Sequence, residues 1–96
     1  MSNVIPKAAE LIFQLGRLQC YWHPTEEDKI ANTMPREVYY QDAVSKHVFG
    51  PFEGIYMAMH HYATVVHGQK HFEGKKDADM IYVDFNRRKR IEFGLP

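Results

Sequence analysis

Four of the six histidines fall between Phe52 and Phe72, in the stretch FEGIYMAMHHYATVVHGQKHF. Imidazoles four residues apart on a helix can share a transition-metal ion through their ring nitrogens, which makes His67 and His71 the one metal-like pair. Gly68 stands between them, however, and His60 lies seven residues before His67, roughly 10 Å along a helix axis and too far to share an ion. No third ligand is evident unless Glu53, Glu73 or another chain provides it. The pair therefore reads as solvated or core-edge histidines, with a histidine-based metal-binding protein kept as an alternative.

Other reactive groups are sparse. General acid or base work by His60 or His67 needs a positioned reactant and a shaped pocket, and the sequence displays neither. The lone Cys20, beside Tyr21 and Trp22, reads as a small buried hydrophobe rather than a nucleophile. The chain has no glycine-rich phosphate loop, no GxSxG, no HExxH and no ExxE. The expectation is a protein that is not an enzyme and carries no cofactor and no metal.

Two features suit recognition instead. The run Arg87, Arg88, Lys89, Arg90 concentrates positive charge and could clamp phosphates or meet an acidic protein patch, although Asp77, Asp79, Asp84 and Glu92 nearby blunt the field. Six tyrosines, one tryptophan and five methionines supply residues favoured at protein interfaces. Tyr21, Trp22, Tyr39, Tyr40, Met57 and His61 are the candidates for exposure. The expected partner-binding residues are Arg87, Arg88, Lys89, Arg90, Tyr39 and Tyr40.

The elements that must position these residues follow from periodicity and punctuation. Asn3 can cap a first helix that tolerates Pro6 and carries Ala8, Leu11, Ile12, Leu15 and Leu18 on one face, ending near His23 before Pro24. Thr25 with Asp28 three residues on forms a weak capping box for a short acidic segment. Pro35 can open a helix that buries Tyr40, Ala43, Val44, His47 and Val48, although Val38–Tyr39–Tyr40 suits a strand equally well. After the break at Gly50–Pro51, Phe52, Ile55, Met59, Tyr62 and Val66 recur at helical spacing, with Glu53, His60, Thr64, His67 and His71 along one edge and Gly68 as the C-terminal cap. From Asp79 to Phe85 and from Arg90 to Phe93, apolar and polar residues alternate. That spacing predicts a hairpin with Asn86–Lys89 as its loop and the four cations at its tip.

The length of 96 residues bounds the whole at a single domain, 1–96, with one modest core. Twelve basic and twelve acidic residues cancel, so the overall field steers the chain toward neither nucleic acid nor an anionic membrane. No apolar run approaches the length needed to cross a bilayer and no secretory leader is seen, while one cysteine excludes a disulfide framework; both fit a cytoplasmic protein. The expected fold is α+β, two or three helices packed with a C-terminal antiparallel β-hairpin. The hairpin's free edge would need covering or pairing, by a second protomer for example, which points to a homo-oligomer. The function that fits is a small non-catalytic cytoplasmic partner-binding protein, an inhibitor or adaptor of a larger protein such as phages and mobile elements encode. The alternatives are a nucleotide or nucleic-acid binder using the basic tip, and the metal protein above.

Overall fold

The computed structural model describes residues 4–30 and 35–92. Strands come first, as a four-stranded antiparallel sheet in the order β1-β2-β3-β4, a simple meander. Its strands are β1 (Glu10–Leu15), β2 (Leu18–Trp22), β3 (Val38–Asp42) and β4 (Val48–Phe52), with a short helix α1 (Glu26–Ile30) in the β2–β3 connection. Three helical segments follow: α2 (Ile55–His61), a π-helical turn (Tyr62–Val66) and the long α3 (Lys75–Glu92). The chain is thus a small α+β domain, but the expected order of helices before a C-terminal hairpin is overturned. The expected cap Asn3 and the expected strand residue Phe93 lie outside the described residues.

Each correction has a local cause. Residues 8–18 do not form a helix because Gly16 takes a positive φ of 57° between the paired Leu15 and Leu18. Glycine at the first of two central positions is what a type II′ hairpin turn requires. Beyond it, Leu18, Cys20 and Trp22 are buried while Gln19 and Tyr21 between them are not, a period of two rather than 3.6. The same alternation in Val38, Tyr40 and Asp42 makes β3 a strand, the second of the two readings that segment allowed. Thr25 does form the expected capping box, its hydroxyl accepting the Asp28 N–H at 3.1 Å while the Asp28 carboxylate accepts the Thr25 N–H at 2.9 Å.

The C-terminal segment is helical because its core contacts recur at helical spacing: Ala78, Tyr82 and Phe85 are buried, and Ile81 is partly so. The alternation of Ile81, Val83 and Phe85 is real in sequence, but Val83 turns outward and is 56% exposed. Tertiary packing outweighs the weak preference of β-branched residues for strands.

The helices cover one face of the sheet. Trp22 meets Phe85 edge-on at 4.9 Å between ring centroids, joining β2 to α3. The Tyr82 hydroxyl accepts the Ile55 N–H at 2.7 Å and so satisfies a free donor at the start of α2, where Gly54 offers no side-chain cap. A Cβ on Gly54 would come within 2.6 Å of that hydroxyl, so glycine is needed there for close approach. None of the described helices is long and apolar enough to cross a membrane.

The two halves of the C-terminal alternation now differ in expected consequence. Phe85→Ala should lower unfolding free energy by about 3–5 kcal/mol, whereas Val83→Ala should change it by no more than about 0.5 kcal/mol. Urea unfolding of both variants checks this, and equal losses would restore the strand assignment.

Candidate functional site

The expected recognition residues do not share one surface. Arg87 and Arg88 sit on α3 rather than at a hairpin tip, and the side chains of Lys89 and Arg90 lie outside the described residues. Arg88 donates from Nη2 to the Ile12 carbonyl at 3.1 Å and lies 5.6 Å from the Phe85 ring centroid. It is tied to the edge of β1 and to the core. Tyr40 is fully buried on the helix-facing side of β3, while Tyr39 faces the other way, as the pleat demands of neighbours.

Tyr40 belongs to a polar and aromatic network between the sheet and the π-helical turn. Its ring stacks on Phe49 and Phe52, and its hydroxyl pairs with His61 Nδ1 at 2.5 Å. Burial pushes its phenol above the ordinary range, and the Asp42 carboxylate adds to this. Burial lowers the His61 pKa from the usual imidazole value, with His60 beside it acting in the same direction. Tyr62, first residue of the π-helical turn, crosses Tyr40 edge-on and its hydroxyl pairs with His67 Nε2 at 2.8 Å. The widened turn closes through His67 N–H to the Tyr62 carbonyl at 3.1 Å.

At the end of the sheet lies Asp42, 2% exposed. Arg17 donates Nε to Oδ1 at 2.9 Å and Nη2 to Oδ2 at 2.5 Å, and Ser45 adds its hydroxyl at 2.8 Å. The Ser45 and Val44 N–H groups complete the set. The Arg17 guanidinium, aided by these donors, holds the Asp42 carboxyl well below the usual carboxylate range. Nothing local predicted this pair, whose members are 25 residues apart.

Each tyrosine–histidine pair has its members in contact with one another, and Cys20 is buried with its thiol pKa pushed up by that burial, the opposite of an activated nucleophile. A hollow of about 500 Å³, open to solvent, is lined by Arg36, Glu37, Pro51, Phe52 and Glu53, none of which carries an imidazole, thiol or hydroxyl. Among the described residues no group of three His, Cys, Asp or Glu is placed to hold a metal ion; His71 contacts Glu73 at 3.2 Å, out in solvent.

The other face of the sheet carries two rows of side chains that point away from α2 and α3. Leu11 pairs with Tyr21 and Tyr21 with Tyr39, so these three form a row across β1, β2 and β3. A second row runs Gln14, Gln19, Gln41. Since Leu18, Cys20, Trp22, Val38 and Tyr40 point to the helices, the two rows point away from them. Leu11 is 45% exposed, and no described residue hydrogen-bonds the Tyr21 or Tyr39 hydroxyl. No charged residue interrupts either row. Composition places Tyr21 and Tyr39 among the candidates for exposure, whereas the glutamine row is signalled only by the alternation in Leu18–Trp22.

No protein-family model matches the chain, and neither a curated protein nor a solved structure matches it.

The network gives stability a two-stage acid dependence. The folded-state pKa of His61 is depressed, so the unfolded chain takes up a proton first and stability falls as pH drops below about 6.5. Asp42 is likewise depressed, so its contribution is full above about pH 4 and is lost as pH falls further. Urea midpoints across pH should show both slopes, and His61→Asn should flatten the upper one. Asp42→Ala should cost about 1–3 kcal/mol at neutral pH by removing the acceptor that five donor contacts share, as the same measurement will show.

Proposed function

We propose that this chain is a non-catalytic, cytoplasmic protein-binding domain, an inhibitor or adaptor, that recognises its partner through the open face of its sheet. One observation carries the reading: helices cover a single face, and the other presents Leu11, Tyr21 and Tyr39 beside a row of glutamines without a charge among them. Protein interfaces favour tyrosine, which brings large contact area and a hydroxyl at low conformational cost, and disfavour charge at their centre. Two rows without cations offer nothing to neutralise phosphates, and Arg88 is engaged within the fold, so a protein partner fits better than nucleic acid. A buried, lone Cys20 suits a reducing compartment.

The test is capture from lysate of the source cell by immobilised protein, with the captured species identified. Tyr21→Ser with Tyr39→Ser should reduce recovery of that species at least ~10-fold, while Arg87→Ala should leave it unchanged. Raising the salt concentration should have little effect, because no ion pair lies at the centre. Undiminished capture by the tyrosine variant would overturn the assignment.

A further inference from the structure

The contact between Tyr40 and His61 has room for one hydrogen. Tyr40 is fully buried, and among the described residues its hydroxyl hydrogen-bonds only His61 Nδ1. A buried hydroxyl needs an acceptor, so the arrangement that satisfies both groups has the O–H donating to Nδ1 and the imidazole hydrogen on Nε2. Protonation of His61 adds a hydrogen at Nδ1. Two donors then face each other, and the Tyr40 O–H must turn away from the only acceptor it has.

The groups around His61 do not offset that loss. From β3 it meets Tyr40, and from β4 the uncharged rings of Phe49 and Phe52, whose centroids lie 5.0 and 5.2 Å away. Those rings attract a cation more weakly than an orphaned buried hydroxyl opposes it. His60, beside it on α2, disfavours a second charge, and Tyr62 on its other side is paired with His67. Asp42, two residues beyond Tyr40 on β3, is engaged by Arg17 and Ser45. No carboxylate among the described residues forms an ion pair with His61.

This contact also lies between two anchors that use no imidazole. Upstream, Tyr82 holds the Ile55 N–H; downstream, α3 buries Ala78 and sets Phe85 against Trp22. Between them Val65 and the residues from His67 to His71 are exposed. We propose that the Tyr40–His61 contact is a proton-operated latch, whose protonation frees the π-helical turn and the chain up to Gly74 from the sheet while the sheet and α3 stay folded. Opening strips His61 and Tyr62 from the rings of Tyr40, Phe49 and Phe52. The sign follows from linkage: the open form takes up the proton more readily, so acid favours opening. It begins below about pH 6.5, where an imidazole titrates, and precedes loss of the Asp42 clamp, which needs a pH below about 4.

Amide hydrogen exchange of the parent in low concentrations of urea, corrected for the intrinsic effect of pH, tests this. Amides of residues 62–69 should exchange through an opening with little urea dependence, because it exposes little surface, whereas those of β2 and β3 should show the full dependence of global unfolding. From about pH 7.5 to about pH 5 the population of that opening should rise about 10-fold, with a ceiling of about 30-fold set by complete protonation of an ordinary imidazole. His61→Asn keeps an acceptor for Tyr40 without titrating and should abolish the rise, while His67→Gln should retain it. Amides of residues 62–69 that share the protection and urea dependence of β3 overturn the proposal without recourse to a variant. An opening in the parent that does not change with pH overturns it equally.

Discussion

The Asp42 carboxylate is the node on which the sheet depends. It stands where β3 ends and receives the Arg17 guanidinium from the β1–β2 turn together with the Ser45 and Val44 groups of its own turn. The Ala43 N–H reaches the Arg17 carbonyl at 2.8 Å, so side chain and backbone clamp the same two turns together. A carboxylate this buried is tolerated only with its acceptor capacity filled, and here five donor contacts fill it. With both hairpin turns tied at one end, the register of all four strands is fixed, and with it which side chains face the helices.

From that register the remaining contacts follow. Tyr40, pointing inward beside Asp42, carries its hydroxyl to His61, while Tyr62 one residue on turns its own to His67. The two pairs bracket the π-helical turn and tie it to the sheet. On the far side Trp22, Phe85 and the Tyr82–Ile55 hydrogen bond do the same for α3 and the start of α2. A small domain has little free energy to spare, roughly 5–15 kcal/mol, so assigning its aromatic hydroxyls to internal hydrogen bonds is a substantial commitment.

Two tyrosines escape that commitment. Tyr21 and Tyr39 are the outward neighbours of buried residues on the two central strands, and they meet across the strands by register alone. Aromatic pairs are usual in sheets, but this one lies on the face opposite α2 and α3, next to an uncharged amide row. That arrangement links the recognition role to the fold: the same alternation that fills the core sends these tyrosines outward.

What the sequence determined by itself was local. The capping box of Thr25 and Asp28, the helical stripe through Ile55, Met59 and Tyr62 and the burial of Cys20 were all legible, because each depends on residues within a few positions of one another, whereas the break expected at Gly50–Pro51 lies inside β4 and the helix begins only at Ile55. The period of two in Leu18–Trp22 was equally present, but apolar Leu11, Ile12, Leu15 and Leu18 also fit a helical stripe, and only the turn at Gly16 and pairing with β3 decided against it. The reverse held from Asp79 to Phe85, where an alternating pattern became a helix because Ala78, Tyr82 and Phe85 found the sheet and α2 to pack on. Short runs carry both periods at once, and the difference is made by whichever surface tertiary packing offers. The pairing of Arg17 with Asp42 and the meeting of Tyr21 with Tyr39 join residues 25 and 18 apart. No local rule reaches that far, so the open face existed only once the chain had folded.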